Sequence, residues 1–227
     1  MLIENINRKK IEDIALAMEL IPFTLRDEIK LKKIEENFQI KILKIYNNAF
    51  NFNIDAFIGK KQDNTLIVCL KEMDSIIDLF IELDINKSIK GIARGFYSAA
   101  FQLYVDIMQN FKFSNCFVCG YSKGGSLAQA LGLLISNSRK KTTCVSIAGS
   151  KVFTKNKVNK LLADNQFLDS INVINRNDFW TKYPTFKYKH YNPVYLEKPT
   201  LFCRSIQDHL FKNYKALLAC VFKSYEI

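Results

Sequence analysis

Histidine and glycine are scarce in this chain, with two of the former and eight of the latter in 227 residues. Any chemistry that needs an imidazole base must therefore draw on His190 or His209. No apolar run approaches the ~18 residues that a membrane span requires. No stretch rich in Pro, Gly or Ser marks a linker, and no internal repeat or low-complexity tract appears. Residues 1–10 are polar and charged and lack the apolar core of a secretory signal, and no disulfide framework shows; the cytoplasm is favoured, with export by an unrecognised route as the other reading. Of the six cysteines, Cys116 and Cys119 stand closest together, without a second pair or a nearby histidine. They read as core residues of a buried strand rather than as half a metal site or a redox pair. No metal and no cofactor is expected.

What is present is mostly ordinary for a globular chain. Apolar residues make up 48%, and the length suits one domain with a sizeable core. The net charge of +11 is spread along the chain with no dense basic cluster among interleaved aromatics. That distribution argues against nucleic-acid binding. It leaves attraction to an anionic membrane or lipid-droplet surface open.

The pattern of apolar positions predicts helices over residues 8–20, 24–36, 75–83, 96–111, 124–136 and 153–168, and from Asp208 to about Tyr225. Strands are expected over 38–46, 116–119, 143–148 and 171–174. Hairpins are expected from Ile54–Gly59 with Thr65–Leu70, and from Pro193–Glu197 with Thr200–Arg204. Strands alternating with helices call for an α/β fold: a mostly parallel central sheet, helices on both faces and antiparallel hairpins at the ends. The chain is expected to be a single domain over residues 1–227, with an N-terminal helical extension over about residues 1–37.

Three of the eight glycines crowd into positions 120–125, in Gly120-Tyr121-Ser122-Lys123-Gly124-Gly125. An apolar strand, Cys116–Cys119, precedes this segment, and a helix-like run follows it. G-x-S-x-G between strand and helix is the setting of a nucleophile elbow, in which a strained turn lifts a serine hydroxyl above the sheet edge. Glycines flank the serine because a Cβ there has no room.

A serine hydroxyl attacks only when a base takes its proton, and a carboxylate orients that base. The α/β-hydrolase order is Ser, then Asp or Glu, then His. Asp178 lies just past the strand ending near Ile174, at the carboxyl edge where catalytic groups gather in such sheets. Read alone, Asp178 also suits a turn or the cap of a short helix before Pro184. His209 follows the last expected strand and is the favoured base. His190, among Phe186, Tyr188 and Tyr191, is either structural or part of an acyl site. Donors for a tetrahedral oxyanion are expected from the backbone N–H of Lys123 and from the loop after Leu70, at Met73 or a neighbour.

Taken together these segments resemble the class 3 lipase family of α/β-hydrolases, the fungal lipase-like group. Gly120–Ala128 is similar to the family's G-H-S-L-G-G-A-L-A, and Gly95-Phe96-Tyr97 with Ala99-Ala100 to its G-F-x-x-A. Ser146–Val152 stands where the family has F-G-x-P-R-V. Asn177–Pro184 resembles N-D-x-V-P-x-L-P, followed by a non-catalytic histidine here at His190. Asp208–Tyr214 is similar to the closing D-H block. The resemblance covers roughly residues 40–215. It implies Ser122, Asp178 and His209 as nucleophile, acid and base, a lipid ester as substrate, and no cofactor. It also implies Tyr121, Ile76, Leu79 and Phe80 as substrate contacts, the last three on a segment, Ser75–Leu83, that some family members use as a lid. An ordinary helix packed on the sheet is the other reading of that segment. Two departures stand out. The oxyanion segment F-R-G-[ST] is Leu70-Lys71-Glu72-Met73 here, and the family's histidine before the serine is Tyr121. Lys123 replaces a leucine and is expected to extend to solvent; help to the oxyanion or contact with a lipid phosphate is the other reading. The expected activity is ester hydrolysis on lipids. The alternatives are an impaired hydrolase-fold protein that binds lipid or protein, and a thioesterase or other esterase on the same fold.

Overall fold

A computed structural model of the chain describes residues 6–22, 28–71, 87–164, 166–184, 186–196 and 206–224. Helix α1 is Arg8–Leu20 and α2 is Glu28–Phe38. Strands β1 (Ile40–Ala49), β2 (Ile54–Lys61) and β3 (Thr65–Leu70) follow. Two short strands, β4 (Ser88–Ile89) and β5 (Ile92–Ala93), precede α3 (Arg94–Asn110). Then come β6 (Asn115–Tyr121), α4 (Lys123–Ser136), β7 (Lys141–Ile147), β8 (Phe153–Thr154), α5 (Lys155–Asp164) and β9 (Leu168–Asn175). The chain continues through β10 (Tyr188–Lys189) and β11 (Pro193–Leu196) to α6 (Phe211–Ser224).

Seven strands form the main sheet in the order β1-β2-β3-β6-β7-β9-β11. The β1–β2 and β2–β3 pairs are antiparallel, and every later pair is parallel. This is the α/β-hydrolase arrangement expected from the alternating pattern. The apolar continuity of the central strands follows from burial on both faces. In β6, Cys116 and Val118 face the layer formed with α3, α4 and α5, while Phe117, Cys119 and Tyr121 face the layer formed with α1, α2 and α6. Cys116 and Cys119 therefore point to opposite faces, and both are buried free thiols. Burial also pushes the Cys144 thiol up to about 12, so it packs as a small apolar group.

The chain differs from the expected pattern in three places. Phe153–Thr154 is a strand, not the start of a helix. It joins a four-stranded sheet, β10-β8-β5-β4, made of two-residue strands too short to leave a periodic signal. Pro193–Leu196 pairs in parallel with β9 and extends the main sheet; the strand expected to form a hairpin with it, 200–204, lies outside the described residues. The closing helix begins at Phe211, after a short 3-10 turn over Ile206–His209. The helix expected over 75–83 also lies outside the described residues.

Helix α1 starts at Asn7, whose side chain accepts the Lys10 N–H at 2.9 Å. Its apolar stripe, Ile11, Ile14, Ala17, Met18 and Leu20, is buried in the same layer as β-strand residues and α6. Burying each of the larger side chains stabilises by about 1.5–3 kcal/mol. Ile14 is fully buried. Ile14→Ala is therefore expected to lower the unfolding free energy in a denaturant titration by about 2–5 kcal/mol. A loss below about 1 kcal/mol, the size of a surface change, would make α1 a detachable extension.

Candidate active site

Between β6 and α4 the backbone reverses within one residue. Ser122 takes φ 54° and ψ −119°, a region that costs a non-glycine residue about 1–3 kcal/mol. Close packing on both sides holds it there. A Cβ on Gly120 would lie 2.3 Å from the Gly124 carbonyl oxygen. A Cβ on Gly124 would lie 2.4 Å from the Leu70 carbonyl oxygen. The helix thus enters directly beneath the ends of β3 and β6. The Ser122 N–H donates to the Ile147 carbonyl at 2.9 Å. Its carbonyl accepts from the Ser126 N–H at 3.0 Å and the Ser126 hydroxyl at 3.2 Å. Ser126 Oγ also accepts the Ser150 N–H at 2.8 Å, which ties the turn after β7 to the first turn of α4.

The loop after β9 delivers Asp178, which is fully buried. Its Oδ1 accepts the Trp180 N–H at 2.9 Å. The same carboxylate therefore both accepts at the start of the short 3-10 turn Trp180–Lys182 and faces the histidine. Its Oδ2 faces His209 Nδ1 at 2.7 Å and accepts the Tyr214 hydroxyl at 2.7 Å. A carboxylate accepts, so the proton of the neutral ring sits on Nδ1. The Nε2 lone pair then faces Ser122 Oγ at 2.8 Å. Ser122, His209 and Asp178 are all nearly inaccessible to solvent. This arrangement fits a Ser-His-Asp triad.

Tyr214 and Tyr121 support it. The Tyr214 hydroxyl accepts the Asn175 N–H at 3.1 Å while donating to Asp178. Burial, and then the charge of Asp178, push its pKa upward, so it remains a donor. The Tyr121 hydroxyl donates to the His209 backbone carbonyl, and its ring packs edge-on against Phe211 and Tyr214. Tyr121 was expected to touch substrate. Its side chain is instead buried behind the histidine, because a residue one position before the serine points into the α1/α6 layer.

The architecture and the sequence agree on the family. Residues 70–188, just over half of the chain, match the family described as Lipase (class 3). The chain belongs to the class 3 lipase family. No curated protein sequence matches it significantly. Among solved structures, lipase II from Rhizopus niveus superposes with a TM-score of 0.68 at 14% identity, covering 90% of this chain and 94% of that one. The Rhizomucor miehei triacylglyceride lipase gives 0.65 at 13% identity, covering 84% of this chain and 82% of that one. A triacylglycerol lipase from Penicillium expansum gives 0.57 at 15% identity, covering 84% and 81%. At these identities the likeness is one of fold.

Glu72, Met73, Ile76, Leu79 and Phe80 lie outside the described residues. Lys123 does not extend to solvent. It is buried, and its ammonium donates to the Phe52 carbonyl at 3.0 Å, clamping the turn after β1 onto the elbow. His190 is buried, with Nε2 donating to the Thr181 carbonyl at 2.8 Å. Burial and the nearby Lys151 lower its pKa to about 4. Neither Tyr214 nor Ser126 is marked as a site residue by the sequence pattern. The only signal for Tyr214 was its place in the Asp208–Tyr214 block, one turn into the closing helix. For Tyr214→Phe, the orphaned Asn175 N–H and the lost bond to a carboxylate should cost about 1–3 kcal/mol of unfolding free energy. Modification of Ser122 by a fluorophosphonate should slow several-fold. Unchanged stability and unchanged labelling together would remove Tyr214 from the positioning of Asp178.

Proposed function

We propose that the chain is a serine hydrolase that cleaves carboxylic esters of lipids through a Ser122 acyl-enzyme. The observation that carries this reading is the continuous path from Ser122 Oγ through His209 to Asp178, with contacts of 2.8 and 2.7 Å, set on a strained elbow. In the first step Ser122 Oγ attacks the ester carbonyl as His209 Nε2 takes its proton. Asp178 stabilises the resulting imidazolium without itself taking the proton. The carbonyl oxygen becomes an oxyanion. The Lys123 N–H, first in α4, supplies one backbone donor, reinforced by the positive end of the helix dipole. The second donor is assigned to the segment at Met73 by resemblance. Collapse of the intermediate expels the alcohol, which leaves with the proton from His209. A water then gives a proton to His209 Nε2, attacks the acyl group, and releases the acid as Ser122 regains its hydrogen.

Lipid as the substrate class rests on the family. One similar structure, at TM-score 0.66 and 15% identity, is described as a triacylglycerol lipase whose catalytic centre is a serine protease triad. Ile76, Leu79 and Phe80 are proposed as acyl contacts, and an anionic membrane or lipid-droplet surface as the place of work. The charge of +11 suits such a surface. Among the described residues no helix is long and apolar enough to cross a membrane. Glu72 in the oxyanion segment favours one second reading: a hydrolase-fold protein that binds lipid and turns it over poorly.

A fluorophosphonate probe separates the two. The native chain is expected to label at Ser122. Ser122→Ala should abolish labelling, and His209→Gln should reduce ester turnover roughly 10^4-fold or more. A native chain that stays unlabelled under conditions where it is folded would sink the enzyme reading. A panel of triglyceride, phospholipid, thioester and short-chain ester substrates then ranks the ester classes by kcat/KM.

A further inference from the structure

Asp178 opens a turn that does not close by its own backbone. The Asp178 N–H donates to the Asn175 carbonyl at 2.9 Å, the Lys182 N–H to Phe179 at 3.1 Å and the Tyr183 N–H to Trp180 at 3.3 Å. The Thr181 hydroxyl donates back to the Asp178 carbonyl at 2.9 Å. The next carbonyl in this series belongs to Thr181. Three places further on stands Pro184, which has no N–H to offer it. Thr181 is buried, and a buried carbonyl without a donor is destabilising. His190 supplies the donor from outside the turn, with Nε2 at 2.8 Å from the Thr181 carbonyl oxygen.

The frame behind His190 is firm. The residue follows β10, which pairs with β8 through Tyr188 opposite Thr154 and Lys189 opposite Phe153. The next residue, Tyr191, is buried, its carbonyl accepts the Asn172 amide of β9, and its ring packs edge-on against Phe153. The imidazole thus projects from the small sheet at a point tied to the main one. Its other nitrogen, Nδ1, is buried with no hydrogen-bond partner. Buried acceptors are normally satisfied, so this ring carries a cost and makes one bond, the bond to Thr181. Burial, with Lys151 adding to it, lowers the His190 pKa to about 4. At neutral pH the ring is therefore uncharged, and its single proton sits on Nε2, where the Thr181 carbonyl accepts it.

We propose that His190 is a positioning residue for the acid of the triad: by holding Thr181 it fixes the turn that aims Asp178 Oδ2 at His209. This rests on the hydrolase reading of Ser122, His209 and Asp178. The Asp178 side chain is anchored through Oδ1 to the Trp180 N–H, the first N–H of the same turn, so a turn that shifts takes the carboxylate with it. The contact at stake is the 2.7 Å approach of Oδ2 to His209 Nδ1. A displacement of about 1 Å at such a contact costs on the order of a hundredfold in rate. No step of the reaction passes through His190 itself. The small sheet β10-β8-β5-β4 thereby has a task, since it carries the ring that steadies the acid.

Three variants and two readouts test the assignment. His190→Phe keeps a buried ring and removes the donor. His190→Gln carries an amide N–H to the neighbourhood of Nε2. Thr181→Val deletes the hydroxyl contact with the Asp178 carbonyl. On a water-soluble short-chain ester, His190→Phe should lower kcat roughly tenfold or more and Thr181→Val several-fold, with KM little changed. His190→Gln should recover kcat to within about threefold of the native chain. The second readout is the proton NMR signal of His209 Nδ1–H, which lies far downfield when the proton faces a carboxylate. The chain has two histidines, so in the His190 variants the remaining imidazole is that of His209 and the assignment is direct. The signal should broaden or move upfield in His190→Phe and Thr181→Val and return in His190→Gln. A folded His190→Phe with native kcat and a native signal would overturn the proposal. So would a His190→Gln no better than His190→Phe, because packing alone would then account for the loss. Should His190→Phe fail to fold, Thr181→Val decides, and a native kcat and signal in that variant would equally overturn it. The NMR signal needs no turnover. A native chain that shows it yet hydrolyses no ester would sink the hydrolase reading, and the same three variants would still test the hold on Asp178.

Discussion

The approach of α4 to the ends of β3 and β6 is the constraint on which the rest of the site depends. Helix and strands meet so closely at Gly120 and Gly124 that no side-chain carbon fits between them. The chain must turn within Ser122, and the turn places that residue in a conformation it would not otherwise adopt. The strain is offset by the burial around it. Every residue of α4 is buried, and its apolar positions join the core shared with α3 and β6. Stability is thus drawn from the whole helix to hold one hydroxyl at the sheet edge.

The second element is a relay of polar contacts that crosses from the sheet to the last helix. Asp178 receives hydrogen bonds from a backbone N–H and from Tyr214, and faces His209. Tyr214 reaches back to the Asn175 N–H at the end of β9, and Asn175 Nδ2 donates to the Asp208 carbonyl. Tyr121, on β6, reaches the carbonyl of His209. Each tyrosine therefore joins α6 or its leading turn to a different central strand. In a buried setting such bonds are worth more than on the surface, and each one left unmade costs more. The imidazole is held from above by its backbone and from the side by its partner carboxylate. This leaves its remaining nitrogen to the serine.

Several departures from the family's usual sequence take on a physical meaning in this setting. Tyr121 fills the position before the serine not to meet substrate but to brace the histidine, and its ring is part of the core. Lys123 keeps an ammonium within a buried elbow because the Phe52 carbonyl receives it. The turn after β1 is thereby fixed against α4, although more than 70 residues separate the two in the chain. The buried His190 serves the loop architecture through Thr181 rather than the serine.

Much of this was legible in the chain itself. Continuous apolar runs located the central strands, and the glycines at 120, 124 and 125 located the elbow, because these signals are local and steric. The order Ser122, Asp178, His209 followed from a general rule of the fold, and Asp178 could be chosen because it stands just past a strand end. The two-residue strands of the small sheet and the parallel addition of Pro193–Leu196 left no such trace, since pairing partners are chosen by contacts distant in sequence. The same holds for the direction of individual side chains. Nothing in the pattern says that Tyr121 faces the α6 layer, that Tyr214 completes the environment of Asp178, or that His190 meets the Asp178 loop at Thr181. The sequence by itself determined which residues have reactive chemistry and which stretches are strand or helix, because those depend on composition and neighbours along the chain. Only the tertiary structure decided which of those groups meet, because distances of 2.7–2.8 Å between residues 122, 178 and 209 are set by the packing of helices on a twisted sheet.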